Sequence, residues 1–141
     1  MAKILLIEDD QDFRDYVAAG LERNGHSVTA VASGKDVIEK IGAAELGAAY
    51  DLIVTDILMP DVDGLEVILA AKAAYPGCRI IAMSAGGHIS KSDIYLRMAD
   101  ALGAQSTLAK PFPISDLCNA VNDNLHRRSG PRDSGADPGK A

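Results

Sequence analysis

Aromatic residues are scarce, at 4% of the chain with no tryptophan, while hydrophobic residues make up 48%. A core of that composition is built from Ala, Val, Ile and Leu, which suits helices layered on a parallel sheet. Cysteine is scarce too. Cys78 and Cys118 lie far apart, lack a second pair and show no metal-ligand spacing, so they read as structural thiols of a reducing compartment rather than a disulfide framework. Basic residues are in deficit, with 14 Lys and Arg against 20 Asp and Glu; the net charge of −6 argues against bulk nucleic-acid binding, which needs a basic face. No apolar stretch of about 18 residues is present to span a membrane. Met1-Ala2-Lys3 runs directly into a strand-like segment, so no secretory signal is expected and a cytoplasmic location is. A length of 141 residues suits one domain with a proper core.

What is present is organised around Asp51 to Gly64, DLIVTDILMPDVDG. Leu52-Ile53-Val54 is too short for a helix and rich in β-branched residues, so it reads as a strand buried on both faces. Asp56 stands where that strand ends. A buried carboxylate is costly without compensation, so Asp56 has either chemistry or a local turn or cap to serve. Met59-Pro60 stops any helix, and Asp61-Val62-Asp63-Gly64 has the composition of a turn; it lacks the spaced ligands and closing Glu of a calcium loop.

The chain on either side alternates between the two periodicities. Ile4 to Ile7 is a buried strand running into Glu8-Asp9-Asp10, and Asp10 suits the cap of a helix carrying Phe13, Tyr16, Val17 and Leu21, stopped at Asn24-Gly25. His26 to Val31 predicts a second strand, and Ser33-Gly34 opens a second helix through Ile41, whose end in the Ala-rich stretch 42–49 is open. Leu65 to Tyr75 predicts a third helix ended by Pro76-Gly77, and Arg79 to Met83 a fourth strand closing on Ser84-Ala85-Gly86-Gly87, with the glycine pair marking a mobile loop. A helix over Ser90 to Leu102, a strand over Ser106 to Ala109 and a last helix from Ile114 to about Arg127, with Leu117, Val121 and Leu125 inward, complete the pattern. Residues 1–127 thus form one domain, and Arg128 to Ala141 a disordered polar tail. Strands alternating with helices through short loops predict an α/β fold: a doubly wound, five-stranded parallel sheet with helices on both faces.

In such sheets ligands sit outside the carboxyl ends of the strands. That rule brings together Glu8 and Asp9, Asp56, Ser84 and Lys110. Three carboxylates in one pocket need a cation, and an all-oxygen site suits Mg²⁺ (or Mn²⁺), with water and a main-chain carbonyl completing the shell. An acid, a hydroxyl, an ammonium and a divalent metal together make a phosphoryl-transfer site, in which a carboxylate can serve as nucleophile. Singly, Ser84 also reads as a cap and Lys110 as a surface lysine; jointly those readings lose ground. His26, His88 and His126 read as solvent-exposed or loop residues rather than phosphodonors.

With these motifs, LLIEDD, TDILMPDVDG, IIAMSA and AKPF, the chain from about Lys3 to Arg127 resembles the response-regulator receiver family, the CheY-like, flavodoxin-like phosphoacceptor domains of two-component signalling. The resemblance implies that Asp56 is phosphorylated, that Glu8, Asp9 and Asp56 hold Mg²⁺ with the main-chain carbonyl of Leu58, and that Ser84 is the switch hydroxyl. Lys110 is then the phosphate-contacting lysine, before a cis peptide at Pro111. It further implies that the domain catalyses its own phosphorylation and dephosphorylation, with a sensor histidine kinase or histidine phosphotransfer protein as donor. A stand-alone regulator signalling to a downstream protein target, without direct nucleic-acid or membrane contact, is the expected form. The chain departs from the family pattern at Thr107, where receivers often carry the aromatic half of the switch, and at Leu58 and Gly86, where polar side chains often tune loss of the phosphoryl group. The segment from Ser84 to Gly103 also looks extended; with no aromatic at Thr107, its glycine-bearing loop Ser84 to Ser90 and the start of the helix that follows, including His88 and Ile89, are the expected route for the phosphorylation signal. Three other readings stand beside this one. An aspartate-nucleophile phosphatase needs an acid where Leu58 stands, a flavodoxin-like electron carrier needs hydroxyls and glycine where Glu8-Asp9-Asp10 would repel a phosphate, and a receiver-like interaction module would never be phosphorylated.

Overall fold

The computed structural model describes residues 2–41, 50–57, 64–74, 77–85 and 105–126. The stretch 42–49, the turn at 61–63, the loop at 86–88, the expected helix 90–102 and the tail 128–141 lie outside the described residues.

Strand β1 (Lys3–Ile7) shows how the sheet is built. Ile4 and Leu6 enter one apolar cluster and Leu5 and Ile7 the other, so the strand is buried on both faces, as an uninterrupted apolar run requires. Strands β2 (Ser27–Val31), β3 (Leu52–Asp56), β4 (Arg79–Ala85) and β5 (Ser106–Lys110) join it in one parallel sheet of order β2-β1-β3-β4-β5. Helices α1 (Gln11–Arg23) and α4 (Ile114–His126) cover one face through Val17, Leu21, Leu117 and Val121. Helices α2 (Gly34–Ile41) and α3 (Gly64–Ala74) cover the other through Val37, Val67, Ile68 and Ala71. This is the doubly wound fold the alternation predicts. None of the described helices is long and apolar enough to cross a membrane.

Local chemistry sets the helix ends. Asp10 caps α1, its Oδ1 accepting from the Phe13 N–H at 3.2 Å, and Gly25 takes the positive φ of 91° that turns the chain towards β2. Inside α1, Gly20 faces Ile114 of α4: a Cβ there would stand 2.2 Å from Ile114 Cγ1, so a side chain at this position would require Ile114 to shift.

Four details differ from the sequence reading. β4 continues to Ala85, which places Ser84 inside the strand, and β5 continues through Lys110, because each extra residue finds a partner in the Ser84–Ala109 and Ala85–Lys110 register. Tyr16 is 45% exposed, on the margin of the apolar stripe. In α4, Leu125 packs, partly buried, against the core as expected, but Asn124 beside it is buried too; it donates to Ser106 Oγ and to the Ala120 carbonyl. His26 is buried, not exposed: its Nδ1 accepts the Ala2 N–H at 3.2 Å, which draws the ring under the amino end of the sheet.

Candidate functional site

The order of the sheet reverses between β1 and β3, and parallel strands leave their carboxyl ends together there. β1 hands over to Glu8 beside the Ile7–Thr55 pair, so Asp56, one residue further on β3, arrives next to it. The chain is held in the ladder on both sides of these acids. The Glu8 N–H donates to the Val31 carbonyl at 3.1 Å, and the Ile57 N–H donates to the Met83 carbonyl at 2.9 Å. Thr55 Oγ1 donates to the Asp56 carbonyl at 2.9 Å.

Glu8 is fully buried and Asp56 is 4% exposed. Glu8 Oε1 accepts from Lys110 Nζ at 2.5 Å, its Oε2 accepts from the Asp10 N–H at 3.1 Å, and its carbonyl accepts from Arg14 Nη1 at 2.9 Å. Lys110 Nζ is also 3.4 Å from Asp56 Oδ2, so one ammonium spans two buried carboxylates. Asp9 is exposed, and one carboxylate oxygen from each of Glu8, Asp9 and Asp56 lies within 4.8 Å of the others.

The electrostatics of this group are unbalanced. Burial pushes the Glu8 carboxyl up from its ordinary 4.5 to about 7; the Lys110 hydrogen bond opposes the rise and the neighbouring negative charge of Asp56 adds to it. Among the described residues, the three acids gather around one lysine ammonium and carry more negative charge than it offsets. A hard, all-oxygen donor set at this spacing fits a small divalent cation such as Mg²⁺.

The remaining predicted positions are distributed around this centre. Ser84 is fully buried on β4, one residue beyond Met83, the register partner of Asp56, and Ala85 pairs with Lys110 at the end of β5. The Lys110–Pro111 peptide is cis, as the resemblance implies. Thr107 pairs with Ala82, half-buried and two pairs back from Ser84. Leu58 lies outside the described residues. Asp10 spends its side chain on the α1 cap, in keeping with its reading as a cap.

Two residues at the centre escaped sequence reasoning. Arg14, on the second turn of α1, fixes the Glu8 backbone, and Phe13 places its ring 4.5 Å from Lys110 Nζ. Helical periodicity marked Phe13 only as a core position, and its lysine lies 97 residues away along the chain (110 − 13), beyond any local signal.

Comparison with known proteins identifies the family. Residues 4–122 match the response regulator receiver domain model. The response regulator receiver protein CpdR of Brucella abortus is 30% identical over 125 residues, 89% of this chain and 98% of that protein. The DNA-binding transcriptional regulator NtrC of Azospirillum brasilense is 33% identical over 99% of this chain, which spans only 27% of NtrC. Among solved structures, a response regulator receiver domain protein from Clostridium thermocellum superposes with a TM-score of 0.79 at 26% identity, over 90% of this chain and 96% of that one. The chain therefore belongs to the response regulator receiver domain family.

Proposed function

We propose that the chain is a phosphoacceptor: Asp56 takes a phosphoryl group from a phosphohistidine on a sensor histidine kinase or histidine phosphotransfer protein, in a Mg²⁺-dependent reaction. The observation that carries this reading is the convergence of Glu8, Asp9 and Asp56 within 4.8 Å, with Lys110 spanning Glu8 and Asp56. An Asp56 carboxylate oxygen attacks phosphorus, the P–N bond to the donor imidazole breaks, and an acyl phosphate forms on Asp56 as the imidazole leaves with the electron pair. Hydrolysis of that acyl phosphate returns Asp56 and inorganic phosphate. Lys110, held between the acids, is placed to offset charge growing on the phosphoryl oxygens, and Ser84 supplies the hydroxyl that responds to the modified Asp56. Glu8 and Asp9 would hold Mg²⁺ together with Asp56, the Leu58 carbonyl completing the set. The ion when bound neutralises phosphoryl charge and orients the donor.

We extend the proposal to a stand-alone cytoplasmic regulator that signals by contact with a downstream protein; its support is the match with CpdR over 98% of that protein. Phosphotransfer profiling against candidate kinases and affinity capture with and without phosphorylation test that part.

Incubation with acetyl phosphate and Mg²⁺, followed by intact mass, tests the chemistry. One added phosphoryl group on the wild type and none on Asp56→Asn is the expected result. An unchanged mass across several donors would favour a receiver-like module that is never phosphorylated, and labelling of Asp56→Asn would move the acceptor elsewhere.

A further inference from the structure

We propose that Phe13 is a positioning residue for Lys110, its ring face holding the ammonium in place as the carboxylates around it change during phosphoryl transfer. The inference rests on the function proposed above. A lysine ammonium is a point charge on a flexible four-carbon stem, and its usefulness depends on where it is held. Among the described residues, three groups surround Lys110 Nζ: Glu8 Oε1 at 2.5 Å, Asp56 Oδ2 at 3.4 Å and the Phe13 ring centroid at 4.5 Å. The first two are alterable by the chemistry itself, since Asp56 becomes an acyl phosphate and Glu8 is a ligand position. The ring is neutral and keeps its negative face throughout, so its attraction for the cation persists when the carboxylates are engaged.

The ring is itself held. Phe112 is buried and nearly perpendicular to it, with centroids 5.5 Å apart and planes at 82°, and the Tyr16 ring lies 5.9 Å away, tilted by 40°. Phe13 N–H donates to the Asp10 cap, which fixes the residue at the first turn of α1. Phe13 thus touches the ammonium of Lys110 and also the side chain two residues further along the same segment, so it registers both ends of the turn that carries the lysine. An aliphatic residue would fill the same space without offering a negative face.

The test separates face from volume. Phenylalanines bearing one, two and three fluorines are introduced at position 13; they keep the ring's shape while draining its negative face. Phosphorylation by acetyl phosphate with Mg²⁺ is followed by intact mass. The expected result is a stepwise fall in rate, reaching about three- to tenfold at the trifluoro ring. Phe13→Leu should lose a comparable amount and Phe13→Tyr, which keeps the face, should regain most of it. A flat fluorine series on a wild type that labels normally overturns the positioning role and leaves phosphorylation at Asp56 standing. A wild type that takes no label at all sinks the proposed function, and this inference with it.

Discussion

Glu8 and His26 sit at opposite ends of the same sheet, both buried, and burial drives both towards their neutral forms. Their surroundings differ. At the carboxyl end, Glu8 faces Lys110 and Asp56, charged groups delivered by two other strands, and its remaining polar atoms are taken by Arg14 and Asp10. At the amino end, the His26 Nδ1 accepts the Ala2 N–H, the like charge of the chain-terminal amine adds to the effect of burial, and Nε2 finds no partner among the described residues. A displaced pKa therefore does not by itself mark a working site. Reciprocal charged partners converging from separate strands do so far better, since folding brings such groups together at a desolvation cost that structure alone does not require.

The largest separation between the two ends should be seen in chemistry. Lys110→Met removes the ammonium that spans both acids, and phosphorylation by acetyl phosphate should slow by about 10²- to 10³-fold in a mass time course. His26→Leu should label at the wild-type rate. A comparable loss in both variants would mean that the amino end takes part after all.

A smaller effect tests how the acids at the carboxyl end divide their work. Asp9→Asn removes a candidate ligand and should weaken Mg²⁺ binding by at least about tenfold, read by calorimetric titration. Asp10→Asn should change it little, because Asn caps a helix nearly as well as Asp and the Asp10 N–H remains for Glu8. Equal losses would place Asp10 in the cation site.

Much of this architecture is legible in sequence because strands buried on both faces leave short apolar runs that only a parallel sheet satisfies, as at Ile4 to Ile7 and Leu52 to Val54. The convergence of Glu8, Asp56 and Lys110 follows from that topology, since each directly ends or follows a strand. Contacts crossing the chain without periodicity were not legible. Phe13 looked like an ordinary apolar helix position, and nothing near His26 told that the backbone of Ala2 would recruit its ring. Strand ends were legible only to within a residue or two, because the pairing that extends β4 to Ala85 depends on β5 beside it.

The finest test of the comparison is pH, because the two buried groups pull stability in opposite directions. Glu8 has a folded pKa of about 7, above its ordinary 4.5, so between these values the folded chain binds more protons than the unfolded one. Its contribution is full below about pH 4.5 and is lost as pH rises towards 7. His26 has a folded pKa below its ordinary 6.5, so the unfolded chain is the better proton binder there, and its contribution is lost as pH falls below 6.5. Urea unfolding without Mg²⁺ from pH 4.5 to 7.5 should therefore show partly cancelling slopes in the wild type. Glu8→Gln should tilt the profile so that stability gains more with rising pH, and His26→Leu should tilt it the other way. Added Mg²⁺ should flatten the Glu8 contribution, since a ligand favours the ionised carboxylate, and should leave the Glu8→Gln slope nearly unchanged. If both variants kept the wild-type slope, burial at the two ends would not govern these groups, and the contrast drawn between them would fail at its physical root.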